Sequence, residues 1–376
     1  MKITKQLLGV ALFLIGVTAS AQEIAIVKIG VVAPLTGPQA HQGKDIENGS
    51  RLAVEEINAT NPTLNGQAVR FELVVEDDQA DPRTATVVAQ KLADSGVKGV
   101  IGHLNSGASI PAARIYAEAG IPQVSPSSTA VAYTRQGFKT TFRVMTNDAQ
   151  QGRALGEYAA KAGKRIAIVD DRTAYGQGLA DEVAKIAHSA GATVVAREFT
   201  TDKATDFTAI LTTLKGKRPD VVFFGGMDPQ AAPMVRQMRM LGIKALFIGG
   251  DGTQTTEFLK LAGAAGEGVI ASSPGMPLEK MPGGKEFAAR FQSRFGKIQL
   301  YAPFAYDATR ILIAAMRAAD SAIPARYLPA LSAIAFNGVT GTISFDSYGD
   351  IKNGPITLYQ VQDKKWTPLL ISSAPP

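Results

Sequence analysis

The chain has 376 residues, of which 45% are hydrophobic and 19% charged, with a net charge of +6. That is a globular composition at a length that supports two domains with real cores, and no basic arm or aromatic-basic stripe points to nucleic acid. There is no cysteine, which excludes disulfides, zinc–thiolate sites, cysteine nucleophiles and a lipid on a processed cysteine.

In chain order, Lys2 and Lys5 precede an unbroken apolar run from Leu7 to Val17, followed by Ala19-Ser20-Ala21. This reads as a cleavable secretory signal over residues 1–21, with the mature chain starting near Gln22. The apolar run is shorter than the roughly 20 residues that span a bilayer.

From there strand and helix patterns alternate. Lys28 to Ala33 is a β-branched run, and Lys44 to Asn58 carries apolar residues at helical spacing. Val69 to Val75 alternates as a strand and ends in Glu76-Asp77-Asp78, a polar strand end whose spacing matches no calcium loop. Asp81-Pro82 reads as the cap and first residue of a helix to about Ser95. Ile101 to Thr129 then reads as strand, hydroxyl-rich loop, helix, strand and second hydroxyl-rich loop, a βαβ unit with parallel, neighbouring strands. Its loops offer Asn105, Ser106 and Ser109, then Ser125, Ser127, Ser128 and Thr129. Thr140 to Thr146 is the next strand.

A second series follows. Helices are expected over Gln150–Ala162, Gly178–Ala190, Phe207–Leu214 and Pro229–Leu241. Strands are expected over Arg165–Val169, Thr193–Glu198, Asp220–Gly225 and Ala245–Gly249. Repeated βα units imply parallel sheets covered by helices, and two series imply two α/β lobes. In the tail, helices are expected over Lys285–Phe295 and Phe304–Ala318 and strands over Thr340–Phe345 and Pro355–Val361, returning to complete both lobes. Breaks near Thr146-Asn147-Asp148, Ser272 to Gly275 and Ser347 to Asn353 mark three crossings. The lobes then comprise residues 24–146 plus 276–346 and residues 147–275 plus 347–376.

Both hydroxyl-rich loops fall at the carboxyl end of one sheet, where open α/β sheets bind ligands. Ser106 alone reads as a helix cap; two adjacent clusters point to a small anionic or zwitterionic ligand. Asp170-Asp171 and Tyr175 follow a second-lobe strand, and Asp251 lies between Gly250 and Gly252 after another. Such acids either cap the next helix or face the ligand, where a charge-assisted bond to an ammonium is worth roughly 1.5–3 kcal/mol. His41, His103 and His188 are too scattered for a metal set. No nucleophile elbow, P-loop or dinucleotide fingerprint is present, so neither an enzyme nor a cofactor is expected.

The segments VVAPLTGPQAHQG (31–43), LNGQAV (64–69), VVEDDQADP (74–82), VIGHLNSGAS (100–109), SPSSTA (125–130), AIVDDRTAYGQGLA (167–180), FFGGMDP (223–229) and FIGGDG (247–252) resemble the periplasmic solute-binding proteins of branched-chain amino acid ABC transporters, the leucine/isoleucine/valine-binding type. The resemblance spans essentially the whole mature chain. It implies a type I periplasmic-binding fold: two doubly wound parallel-sheet lobes, joined by three hinge crossings, closing over the ligand. It implies a soluble periplasmic receptor, not lipid-anchored and monomeric by family default, that hands an aliphatic amino acid to the permease subunits. Ser106 would hold the ligand carboxylate, Thr129 would contact both carboxylate and ammonium, and the Ser127 carbonyl and Asp251 would take the ammonium. Tyr175, Met227, Gln42 and Tyr301 would line the rest of the pocket. This chain departs from the pattern at Asp251, where a longer Glu is common, at Met227 and Gln42, where aromatics are common, and at Ala80 and Asn105, which pair as cysteines in some members. The same fold also serves receptors for aromatic acids, amides and urea.

Overall fold

The computed structural model describes residues 24–372; the expected signal segment lies outside them. Its strands are β1 (Ala25–Ala33), β2 (Thr63–Leu64), β3 (Gln67–Asp77), β4 (Val100–Gly102), β5 (Gln123–Ser125), β6 (Thr141–Arg143), β7 (Arg165–Asp170), β8 (Thr193–Phe199), β9 (Val221–Gly225), β10 (Leu246–Gly249), β11 (Ile270–Pro274), β12 (Phe336–Asn337), β13 (Thr342–Ile343), β14 (Ile356–Gln362) and β15 (Lys365–Ser372). The helices are α1 (Ala40–Asn58), α2 (Pro82–Asp94), α3 (Ser106–Glu118), α4 (Asp148–Ala162), α5 (Ala174–Ser189), α6 (Thr208–Lys217), α7 (Asp228–Met240), α8 (Thr256–Ala262), α9 (Gly284–Phe295), α10 (Ala302–Ala318) and α11 (Pro324–Ser332).

Two large sheets form. The first has the order β2-β3-β1-β4-β5-β6, the second β15-β14-β11-β10-β9-β7-β8. From β1 through β6 all pairings are parallel except the short β2–β3 hairpin. The expected β4–β5 neighbours pair in parallel, Val100 with Gln123 and Ile101 with Val124. Strands β4, β5, β9 and β11 are buried at every residue, as parallel strands covered on both faces must be. Adjacent Phe223 and Phe224 fill opposite faces of β9, each in a different core cluster; burying one such ring stabilises by about 1.5–3 kcal/mol.

The chain passes between the sheets at residues 144–147, again after β11, and a third time over residues 344–355 into β14. The tail differs from expectation in one respect. The run expected as a strand over Thr340–Phe345 yields only β13, which pairs with β12 in a two-stranded ribbon and joins neither sheet. The first lobe is instead completed by helices, with α10 packed along α1. Gly49 permits this approach, because a Cβ there would sit 2.3 Å from the Ala302 carbonyl oxygen. The second sheet gains β14 and β15, both antiparallel; β11, β15, α8 and α11 were not expected from the sequence. Among the described residues no helix is long and apolar enough to cross a membrane.

Candidate functional site

In each sheet the winding reverses beside the first strand of its series. Strand β1 lies between β3 and β4, and β7 lies between β8 and β9. Loops at such a switch point diverge to opposite faces and leave a crevice. The two crevices face each other. Leu104, Asn105, Ser106, Ser127 and Tyr301 from one side and Tyr175, Met227 and Asp251 from the other line a small, buried cavity. Six of the eight residues expected from the sequence line it; Gln42 and Thr129 do not.

On the first-lobe side, α3 opens at Ser106 behind Asn105, whose side chain makes no cap to the helix. Its first N–H groups therefore lack the usual partner and carry positive partial charge towards the cavity. The Ser106 hydroxyl accepts from the Ala130 N–H at 3.1 Å and keeps its own proton to donate. The other hydroxyls are mostly spent on the scaffold. The hydroxyls of Ser109, Ser125, Ser127 and Ser128 cluster around the His103 carbonyl at 3.1–3.4 Å, and Ser127 and Ser128 also reach the Leu104 carbonyl, both at 3.1 Å, so that the two carbonyls share them. The buried His103 ring is held between Asp78 at 2.7 Å and Tyr116 at 3.1 Å. Thr129 is fully buried with its hydroxyl beside the Asp148 carboxyl; burial pushes that carboxyl up to about 8 against the opposing pull of the hydroxyl.

On the other side, Asp251 is buried and its carboxylate is held by three groups. Tyr175 donates to Oδ1 at 2.8 Å, Gln151 to Oδ1 at 3.1 Å and Tyr301 to Oδ2 at 2.8 Å. A carboxylate accepts about four hydrogen bonds, so one acceptor position on Oδ2 remains for a ligand donor. Burial raises the Asp251 pKa, and the bonds from Tyr175, Tyr301 and Gln151 oppose the rise. A ligand ammonium would favour the ionised form further. The flanking glycines act through space rather than backbone freedom. A Cβ on Gly250 would lie 2.4 Å from the Tyr175 hydroxyl, and one on Gly252 would lie 2.5 Å from Met227 Sδ. Asp171 closes the turn before α5 instead: it accepts from the Thr173 N–H at 2.9 Å and the Thr173 hydroxyl at 2.6 Å, and Thr173 caps the helix by accepting from the Gly176 N–H at 3.0 Å. Asp170 pairs with Arg197 at 2.7 Å.

Gln42 is buried but points to Asp228, to which its Nε2 donates at 3.1 Å, and so stands behind the cavity wall. Sequence reasoning missed three supports. The Asp45 carboxylate accepts the N–H groups of Gln299, Leu300 and Ala302 at 2.8–3.0 Å and so fixes the segment presenting Tyr301. Gln151 links Asp251 to Ser272 at 2.6 Å. The fully buried Arg143 donates to the Ser128 and Ala130 carbonyls at 2.8 and 3.0 Å and to Asp350 at 2.6 Å. An acid and a glutamine on helix patterns and an arginine at a strand end carry no local mark of such roles.

A carboxylate partner at a helix N-terminus opposite a buried acid gives the cavity two poles of opposite sign, the arrangement that a zwitterion satisfies. Comparison with known proteins agrees with this architecture. The family model described as periplasmic binding protein matches residues 26–365. The Leu/Ile/Val-binding protein homolog 1 of Brucella melitensis biotype 1 is 37% identical over 89% of this chain and 90% of its own length. The leucine binding protein LivK of Thermotoga maritima superposes with a TM-score of 0.85 at 28% identity, covering 92% of this chain and 98% of that one. The branched-chain amino acid transporter substrate binding protein LivJ of Streptococcus pneumoniae, solved with isoleucine, gives a TM-score of 0.82 at 26% identity over 93% and 100% of the two chains. With two parallel-sheet lobes joined by three crossings in the type I arrangement, the chain belongs to the periplasmic binding protein family.

Proposed function

We propose that this chain is the substrate-binding component of an ABC transporter, capturing an aliphatic, branched-chain amino acid between its lobes and delivering it to the permease without catalysing a reaction. The observation that carries this reading is Asp251, buried opposite the uncapped start of α3 and held by tyrosines from both lobes. Ser106 and the α3 N–H groups take the carboxylate; Oδ2 of Asp251 and the Ser127 carbonyl take the ammonium. Leu104, Met227 and Tyr301 face the aliphatic side chain. The LivJ complex with isoleucine and the naming of the Brucella relative support the branched-chain assignment.

The lobes comprise residues 24–146 with 276–346 and residues 147–275 with 347–376, on this reading, and the protein acts as a monomer in the periplasm. Mass spectrometry of the exported protein is expected to find Gln22 at its start. Isothermal titration with a panel of L-amino acids is the direct test: leucine, isoleucine or valine binds, and absence of heat with every L-amino acid sinks the ligand assignment. An aromatic acid, amide or urea as the bound species is the alternative outcome, and would be revealed by Asp251→Asn improving affinity, since an unpaired buried carboxylate is costly. Ser106→Ala is expected to weaken L-leucine binding by at least about tenfold, the loss of one charge-assisted hydrogen bond worth roughly 1.5–3 kcal/mol, and to lower the melting temperature of the free protein modestly, because the Ala130 N–H loses its acceptor, without unfolding it. Saturating L-leucine is expected to raise the melting temperature, by about 2.7 kcal/mol of added stability at a hundredfold excess over Kd; an unmoved transition in differential scanning calorimetry would contradict binding to the folded cleft.

A further inference from the structure

Asp228 opens α7 in the second lobe and is fully buried. Within its own lobe it accepts from the Thr255 hydroxyl at 2.6 Å. Its remaining partners come from the other lobe. His41 Nε2 lies 2.8 Å from Oδ2, and Gln42 Nε2 donates to Oδ1 at 3.1 Å. Both belong to the first turn of α1, which packs on β1 and β3. Hinge opening would draw α1 away from α7 and replace these bonds with water. Neither His41 nor Gln42 lines the ligand cavity, so the contact acts on lobe closure and not on the ligand directly.

We propose that His41, Gln42 and Asp228 form a cross-lobe latch that holds the closed, ligand-retaining form, and that protonating His41 tightens it. The proposal rests on reading the chain as a two-lobed receptor and adds a positioning device to it. The charges with the largest influence on His41 are all acids: Asp228 from α7, Glu257 from α8 and Asp45 from its own helix. Asp228 itself also faces Tyr301 at the start of α10. Burial is the largest influence on His41 and disfavours its charge, but the bond to Asp228 and the three acids together outweigh it and raise its pKa above the ordinary 6.5. With the lobes apart, His41 loses Asp228 and returns towards the ordinary value. The charged form therefore favours closure. This contribution is fully present below about 6.5 and is lost as pH rises through the higher closed-form value. A neutral imidazole still donates one hydrogen bond, so the latch weakens without vanishing.

The test has two arms. L-leucine affinity is measured by titration calorimetry at pH 5.5 and 8.5 in wild type, His41→Gln and Asp228→Asn. Wild type is expected to bind severalfold tighter at pH 5.5 than at pH 8.5; His41→Gln keeps a hydrogen-bonding side chain but is expected to lose that contribution. Because Asp148, near 8, and Asp171, near 6, titrate in the same window, the decisive quantity is the difference between wild type and His41→Gln. The second arm needs no ligand. The sequence has no cysteine, so Val87→Cys with Ala209→Cys, both at exposed positions of α2 and α6, accept a fluorophore pair that reads lobe separation. Energy transfer is expected to rise as pH falls, and to stay flat with His41→Gln added. A pH dependence lost in His41→Gln in either arm supports the latch. Equal pH dependence in wild type and His41→Gln in both arms overturns it. Failure of L-leucine to bind overturns the ligand assignment alone, because the fluorescence arm still decides the latch; circular dichroism of each variant verifies folding.

Discussion

Asp251→Ala is expected to weaken L-leucine binding by about 30-fold to several thousandfold, the range set by 2–5 kcal/mol for truncating one partner of a buried charge pair. The size of the loss follows from what the carboxylate holds together. It faces the cavity, and it gathers Tyr175 and Gln151 from the second lobe and Tyr301 from the first. Removing it leaves a ligand ammonium unpaired in a water-excluded site and three buried donors without their acceptor. Titration calorimetry reads the effect. A loss under fivefold would mean that the ammonium is held elsewhere. Asp251→Asn separates charge from shape, and is expected to recover folding stability better than it recovers affinity.

Arg143→Met is expected to lower the stability of the free protein by about 3–5 kcal/mol, the cost of breaking a buried ion pair by removing one partner. Arg143 is fully buried. It ties the loop carrying Ser127, Ser128 and Thr129 to Asp350 on the third crossing, and Asp350 also accepts from Asn147 on the first crossing at 3.2 Å. The same change should therefore loosen the site and the hinge together. Burial acts to raise the Asp350 pKa, but the Arg143 charge and the bond from Thr134 hold it below the usual carboxylate value. A depressed pKa contributes stability above the unfolded-state value near 3.9, and that contribution is lost as pH falls through the lower folded-state value. Urea denaturation at pH 7 and pH 3 tests both statements: the gap between wild type and Arg143→Met is expected to narrow at pH 3. A gap below 1 kcal/mol at pH 7 would place the burden of the hinge on other contacts.

Much of the architecture was legible locally. The Asp81-Pro82 cap stands where expected, with the Asp81 carboxylate accepting from the Arg83 and Thr84 N–H groups, because capping depends on residues three apart. The βαβ unit from Ile101 to Thr129 was legible because fully buried parallel strands read as short apolar runs. Some helices start earlier than their apolar spacing predicts: α5 begins at Ala174 and α10 at Ala302, so Tyr175 lies in the first turn of a helix and Tyr301 immediately before one. The sequence presents the hydroxyl-rich loops as two adjacent clusters of donors for one small ligand. In the structure most of those hydroxyls close onto the His103 and Leu104 carbonyls, and Ser106 alone combines a free donor with the start of α3.

What the sequence by itself determined is the list of parts: two βα series, three breaks between them, and polar residues at strand ends that converge once the sheets form. These are local properties, set by hydrophobic period, capping chemistry and parallel pairing. Only the tertiary structure decided which polar groups face the cavity and which serve the scaffold. Asp251 and Asp171 are alike in sequence context, yet one is surrounded by tyrosines from both lobes and the other caps its own turn. Gln42 passed from pocket wall to cross-lobe contact because Asp228, 186 residues away in the chain, reaches it first. The burial of a polar group has to be satisfied by whatever donor or acceptor the fold brings within 3 Å, and for contacts this distant in sequence that partner is a property of lobe closure.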